Sequence, residues 1–211
     1  MDINKVQEWN IEEFLQQSAS SAPTPGGGSV SAYAGALGAS MVCMVANLTL
    51  GKEKYKDVEP IVKEILQKGE KCLSNLKAGM VEDINVFGMF MDVFKMPKET
   101  EEQKAKRSVK MQAALMEATE SPLNVTRTCF EVLQLAREIA PIGNKGAISD
   151  VGVGAYLAES ALKSAVLSIN INLPRIKDEE YKTGVRIERD SILKQVEDIL
   201  KKTIDIVNSR I

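Results

Sequence analysis

A proline- and glycine-rich loop at residues 23–29 is the first segment whose composition suits ligand binding. Its sequence is Pro-Thr-Pro-Gly-Gly-Gly-Ser. Glycines such as Gly27 are expected to take positive φ here, and a helix starting near Ser29 would direct its unpaired N–H groups toward a ligand. The loop therefore suits an anionic or polar ligand, although a tight structural turn fits the pattern equally well. The residues predicted to bind are Pro25, Gly26, Gly27, Gly28 and Ser29.

Asp83 is the second candidate, because it lies four residues before Phe87 in a long helical pattern. Residues four apart share a helix face, so the carboxylate would project beside an aromatic ring. A buried carboxylate is costly unless it is paired or used in chemistry, and a general base is one such use. A solvent-facing Glu82–Asp83 pair is the alternative, and the pattern alone favours it.

A polar break at residues 143–150 separates two apolar helical segments and is the third candidate. Asn144, Lys145 and Asp150 would supply an orienting amide, a donor and a base within one loop. Simpler roles are also open, because Ser149 or Asp150 is predicted to serve as a helix N-cap and Lys145 could be a solvated loop residue.

Five short motifs in this order resemble the formimidoyltetrahydrofolate cyclodeaminase and methenyltetrahydrofolate cyclohydrolase family. They lie at residues 21–30, 44–55, 83–87, 143–150 and 170–173. The resemblance covers about residues 20–174. It implies a helical folate enzyme, typically dimeric, whose site lies in a cleft lined by the glycine loop.

The same resemblance implies where the site residues lie, because Asp83, Asn144 and Asp150 match motif positions of the family. The predicted catalytic residues are Asp83, Lys145 and Asp150. Outside the glycine loop, the predicted substrate-binding residues are Asn47, Tyr55, Asn144 and Ser149. Lys52, Lys54, Lys145 or the helix N-terminus at the glycine loop is expected to bind the glutamate tail, with or without further glutamates.

The family carries out two related reactions at the carbon that bridges N5 and N10 of tetrahydrofolate. Hydrolysis of 5,10-methenyltetrahydrofolate is the expected activity, because no attached formiminotransferase domain is recognised in the 211 residues. Cyclodeamination of 5-formimidoyltetrahydrofolate is the alternative. Both reactions pass through a tetrahedral centre, and neither is expected to need a metal or a cofactor beyond the folate substrate.

Composition excludes several other classes of function. The chain has 27 Lys and Arg against 29 Asp and Glu, so nucleic-acid binding is not expected. It has no histidine, which excludes Ser-His and Cys-His catalysis and removes the commonest transition-metal ligand. Three cysteines, an odd number far apart in helical segments, predict reduced thiols in a cytoplasmic protein. Residues 1–17 lack the pattern of a signal peptide.

Almost every segment has helical periodicity, so residues 1–211 are predicted to form one all-α domain, a bundle of long antiparallel helices. Asn10 with Glu13, and Thr100 with Gln103, predict capping boxes. One long helix is expected over residues 59–96. The next is expected to end near Ser121, with Pro122 starting another to residue 139. Further helices are predicted over residues 150–170 and, with amphipathic character, 178–211.

Residues 30–50 contain no charged side chain and must be buried in some way. A central helix, whose small residues let another helix approach closely, is the favoured interpretation, and a membrane span is the alternative. Its apolar surface, with that of the helix over residues 151–170, predicts a soluble homodimer. A non-catalytic helical scaffold is a further alternative, but it leaves the glycine loop without a purpose beyond turning.

Overall fold

The computed structural model describes residue 6 and residues 8–211, which form six α-helices and no β-strand. The all-α prediction is confirmed. Residues 1–5 and 7, part of the segment predicted not to be a signal peptide, lie outside the described residues. The helices are α1 (Ile11–Ser18), α2 (Gly27–Thr49), α3 (Glu59–Phe94), α4 (Glu101–Ile139), α5 (Ile148–Asn172) and α6 (Glu179–Arg210).

Helices α2, α3, α4 and α5 form a four-helix core, and α6 packs against α4 and α5. Helix α2 contacts all three of its partners in the core. Its buried face carries small residues, and α5 comes very close to it at Gly38, where an added Cβ would lie 2.9 Å from the carbonyl oxygen of Gly154. The predicted small-residue face of α2 is therefore used for packing within the chain.

By length and composition, α2 is also the one described helix that could cross a membrane. Within its most apolar window, 61% of the residues are buried by the rest of the chain. Packing among α3, α4 and α5 thus accounts for most of the uncharged surface.

Pro122 lies inside α4 and does not start a new helix, so that prediction was wrong. Proline lacks an N–H, which leaves the carbonyl of Ala118, four residues earlier, without its helical partner. The side-chain amide of Asn172, at the end of α5, donates to this carbonyl at 2.8 Å. Because a neighbouring helix satisfies the freed carbonyl, α4 continues through the proline.

Capping was predicted correctly for two helices and wrongly for a third. Asn10 and Thr100 form the expected capping boxes at α1 and α4. Helix α5 starts at Ile148 without a side-chain cap, so Ser149 and Asp150 lie within its first turn. A 3-10 turn over Lys145–Ala147, capped by the Asn144 side chain, leads directly into α5 and removes the need for a further cap.

Candidate functional site

A cavity of about 300 Å³ lies where the start of α2 meets α3, the middle of α4 and the end of α5. We call it the glycine-loop pocket. Its principal lining residues are Gly26, Gly27, Gly28, Asp83, Phe87, Phe90, Ser121, Ile171, Asn172 and Arg175. The glycine loop and the Asp83–Phe87 face, two motifs more than fifty residues apart in sequence, therefore meet at one pocket.

The glycine loop reaches the pocket without any residue at positive φ. Among the described glycines, only Gly51 has positive φ, so the expectation for Gly27 was wrong. Gly26 is the extended N-cap of α2, and the helix begins at Gly27, two residues earlier than expected. Gly26, Gly27 and Gly28 line the pocket, whereas Pro25 and Ser29 are buried behind it.

Gly28 is required because it lies directly against the Asp83 carboxylate. A Cβ added at Gly28 would overlap that carboxylate, whereas one added at Gly27 would meet no atom within 4 Å. Close approach between the α2 backbone and α3 therefore depends on the absence of a side chain at position 28.

Ser29 holds one oxygen of Asp83 through two hydrogen bonds. The Ser29 backbone N–H donates to Oδ2 at 2.9 Å, and the Ser29 hydroxyl donates to the same oxygen at 2.8 Å. Gly26 has no side chain to cap α2, so Asp83 takes the place of an N-cap acceptor from another helix. Oδ1 of Asp83 accepts no hydrogen bond from any residue the structure describes.

Burial raises the pKa of Asp83 above its ordinary value, and the two hydrogen bonds from Ser29 partly offset that shift. The solvent-facing interpretation of the Glu82–Asp83 pair was therefore wrong for Asp83, while Glu82 is exposed. A half-buried carboxylate with a raised pKa and one unbonded oxygen at a cavity is suited to accept and return a proton.

Three residues on the opposite wall were not predicted as site residues. Ser121 is buried, and its hydroxyl has no hydrogen-bond partner among the described residues. Asn172 and Arg175 lie at the end of α5 and in the 3-10 turn Leu173–Arg175. Asn172 belongs to a motif noted in the sequence, but Ser121 was interpreted as a helix boundary and Arg175 lies beyond the last motif.

The remaining predicted residues lie at the other end of the bundle. The backbone N–H of Asn144 donates to the Thr49 hydroxyl at 2.8 Å, and its side chain donates to the Leu48 carbonyl at 2.7 Å. The Lys145 N–H donates to the Tyr55 hydroxyl at 2.9 Å. We call this group the Asn144 cluster; its members are Asn47, Tyr55, Asn144, Lys145, Ser149 and Asp150.

The glycine-loop pocket and the Asn144 cluster are not brought together within one chain. The glycine loop lies at the first residue of α2 and the Asn144 cluster at its last, so helix rise alone separates them by roughly 33 Å. Lys52 and Lys54, proposed from the sequence to hold the substrate tail, lie just past the same distant end. A single-chain site built from Asp83, Lys145 and Asp150 therefore does not form.

The three cysteines are free, buried thiols, as predicted. Burial raises the pKa of Cys43 to about 11 and those of Cys72 and Cys129 to about 12. The thiols therefore stay protonated at neutral pH and do not supply a nucleophilic thiolate. No group of three or more metal-ligating side chains occurs in the described part of the chain.

Comparison with known proteins places this geometry in context. A family model described as formiminotransferase-cyclodeaminase matches residues 10–191. A methenyltetrahydrofolate cyclohydrolase from Methylorubrum extorquens is 39% identical over 201 residues, covering 95% of this chain and 97% of that relative. A formimidoyltransferase-cyclodeaminase from Gallus gallus is 32% identical over 170 residues, covering 81% of this chain and 31% of the relative.

A solved structure shares the whole architecture. The crystal structure of a formiminotetrahydrofolate cyclodeaminase from Thermotoga maritima matches with a TM-score of 0.87 at 28% identity. The match covers 97% of this chain and 98% of the other. The fold of this chain therefore has a counterpart of nearly the same length.

Proposed function

Because this chain belongs to the formiminotransferase-cyclodeaminase family, we propose that it is a folate one-carbon enzyme that hydrolyses 5,10-methenyltetrahydrofolate to 10-formyltetrahydrofolate. The Methylorubrum cyclohydrolase supports this assignment, since it aligns along nearly its full length. The observation that carries the proposal is the half-buried Asp83, with one oxygen fixed by Ser29 and the other unbonded beside the glycine loop.

Asp83 is proposed as the group that moves protons in the reaction. Its carboxylate accepts a proton from a water molecule as that oxygen bonds to the carbon between N5 and N10. The carboxylic acid then returns the proton to N5 as the C–N5 bond breaks, and the remaining hydroxyl proton leaves to solvent as the formyl group forms. The pKa raised by burial favours both halves of this exchange near neutral pH.

Electrostatics favours the same placement of the substrate. The amidinium centre of 5,10-methenyltetrahydrofolate is cationic, and Asp83 is the acidic residue that lines the pocket. Phe87 and Phe90 provide apolar ring surfaces beside it, which suit a flat bicyclic ligand.

Cyclodeamination is the second candidate, supported by the Thermotoga structure and the Gallus relative. In that reaction Asp83 would accept the proton from N10 as N10 attacks the formimidoyl carbon, and would return it to the formimidoyl nitrogen. With one further proton from solvent, that nitrogen leaves as ammonia when its bond to carbon breaks. The two activities are distinguished by the methenyl chromophore, which hydrolysis consumes and cyclodeamination produces. The non-catalytic scaffold is disfavoured because the named relatives are enzymes.

We also propose that the protein is a homodimer formed through exposed apolar side chains of α2 and α5. This α2–α5 face comprises Val30, Leu37, Leu48, Val153, Tyr156, Leu167 and Ile171. Ile171 also lines the glycine-loop pocket, so the pocket opens beside the face. A twofold axis perpendicular to α2 would place the partner subunit's Asn144 cluster near the pocket, which would reunite the two groups of predicted site residues.

The proposed enzyme works in the cytoplasm with no metal or redox cofactor, and it binds neither nucleic acid nor membrane. The buried, protonated thiols support a reducing compartment, and the near balance of 27 basic and 29 acidic residues supports the absence of a nucleic-acid partner. The packing of α2 inside the bundle supports its role as a core helix.

A further inference from the structure

Arg175 is a cation at the glycine-loop pocket that no carboxylate of the described chain neutralises. Its guanidinium carbon lies 5.2 Å from the centre of the Phe90 ring, and both residues line the pocket. None of the ion pairs found among the described residues includes it, and its side chain donates no hydrogen bond there. Stacking on an aromatic face orients a guanidinium while leaving its N–H edge free for a planar anion.

The backbone that carries Arg175 is held in place by α4. Gln112 donates from Nε2 to the Arg175 carbonyl at 3.1 Å, and the N–H of Lys177 donates to Gln112 Oε1 at 2.7 Å. Leu173 and Ile176, which flank Arg175, are buried in the core. The exposed guanidinium therefore projects from an anchored turn, which lowers the entropic cost of binding a ligand.

The pocket is bipolar. Asp83 and Arg175 are its two charged lining residues, and they project from different helical segments, α3 and the turn after α5. A matching ligand carries a cationic centre near Asp83 and an anionic group near Arg175. 5,10-Methenyltetrahydrofolate has this charge pattern, with a cationic amidinium at one position and glutamate carboxylates at its tail.

We propose that Arg175 binds a glutamate carboxylate of the folate tail and so determines the specificity of the pocket for glutamylated substrate. This inference rests on the proposed function. The sequence suggested Lys52, Lys54, Lys145 or the helix N-terminus at the glycine loop for this role. Arg175 is the basic residue that lines the pocket within one chain, whereas the three lysines lie at the opposite end of that chain. A guanidinium can bind a carboxylate through two parallel hydrogen bonds, which an ammonium group cannot do.

A comparison of two substrates with four proteins tests the inference. The substrates are 5,10-methenyltetrahydrofolate and 5,10-methenyltetrahydropteroate, which lacks the glutamate. The proteins are the parent, Arg175→Met, Arg175→Lys and the control Arg186→Met, which removes an exposed arginine of α6 that does not line the pocket. Steady-state rates give kcat and KM for each pair.

We expect Arg175→Met to raise KM for the glutamylated substrate by about tenfold or more, as expected for loss of a charged hydrogen bond, with kcat nearly unchanged. KM for the pteroate should be similar in parent and Arg175→Met, Arg175→Lys should be intermediate, and Arg186→Met should match the parent. Equal losses on both substrates, or an unchanged KM in Arg175→Met, would overturn the tail-binding role. A parent inactive on the glutamylated substrate would instead overturn the proposed function, and this inference with it.

Discussion

Ser29 influences the ionisation of Asp83 through two hydrogen bonds to the same carboxylate oxygen. Burial makes the carboxylate harder to ionise, and the bonds from Ser29 make it easier. The balance between burial and the hydrogen bonds from Ser29 sets the pH range in which Asp83 can act as a base. This residue pair therefore gives the proposed mechanism a pH signature.

Replacing Ser29 by Ala should move the acidic limb of the rate profile to higher pH. The active form is the carboxylate, so kcat/KM rises with pH as Asp83 ionises and then levels off. Loss of the hydroxyl bond raises the pKa of Asp83 further and shifts the midpoint upward. Ser40→Ala is the control, because its hydroxyl bonds only within α2, to Ala36. A midpoint that stays fixed or moves downward in Ser29→Ala would contradict this account.

Gly28 and Gly27 form a matched pair for testing the contact between the loop and Asp83. Gly28→Ala should displace the Asp83 carboxylate, lowering turnover and costing about 1–3 kcal/mol of unfolding free energy through overpacking. Gly27→Ala should keep the parental stability, because its Cβ would point into open space. Thermal melts and steady-state rates measure both effects. Equal stability of the two variants would show that the Gly28 contact is unimportant.

The sequence predicts those site residues that belong to a recognisable local pattern. The glycine loop and Asp83 with Phe87 carry local signals, namely an unusual composition and a helical spacing. The positive φ expected of Gly27 was wrong because the loop needs close packing against Asp83, which is distant in the sequence. Arg175 carries no local signal, since its significance comes from Phe90 and Asp83 across the pocket.

Pro122 shows how one helix determines the structure of another. The proline leaves the Ala118 carbonyl without its helical partner, and the side-chain amide of Asn172 on α5 donates a hydrogen bond to it. The local sequence predicts a helix break at the proline. Nothing in it indicates that the amide of a residue on another helix will bond to the freed carbonyl. Distant contacts also affect the start of α5, where the predicted cap is replaced by the 3-10 turn after Asn144. Asn144 is held by Thr49 and Leu48, and neither contact can be recognised from the local sequence.

A double-mutant cycle tests this coupling. Asn172→Ala should lower the unfolding free energy by about 1 kcal/mol or more, because the Ala118 carbonyl loses its partner. Introduced into a Pro122→Ala background, the same change should cost much less, since an alanine at that position supplies the missing helical N–H. Chemical denaturation of the four proteins gives the interaction energy. Additive effects would mean that the Asn172 bond does not compensate for the proline.

Assembly concerns the whole chain, because the predicted site residues divide between opposite ends of the bundle. The α2–α5 face lies between those ends and carries large exposed apolar side chains. Large exposed apolar side chains on two packed helices suit a self-complementary interface. The all-α domain and its long helices follow from sequence periodicity, whereas the separation of the motifs appears only in three dimensions.

Leu37→Glu should convert the proposed homodimer to a monomer, because it places a charge in the middle of the α2–α5 face. Light scattering at micromolar concentration measures the mass. Val109→Glu is the control, since Val109 is an exposed apolar residue on α4, outside this face. Turnover should fall as the dimer is lost, because the partner subunit's Asn144 cluster is then removed from the pocket. A parent that is already monomeric would contradict the homodimer.

Absorbance of the methenyl chromophore, followed with purified protein, tests whether Asp83 drives hydrolysis. The parent and Glu82→Gln, a change at the exposed neighbouring carboxylate, should accelerate its loss from 5,10-methenyltetrahydrofolate. Asp83→Asn should be slower by roughly 10²-fold or more, the range for losing a general acid or base. With 5-formimidoyltetrahydrofolate, no chromophore should appear. Chromophore gain from that substrate without loss from the first, or full turnover in Asp83→Asn, would contradict hydrolysis driven by Asp83.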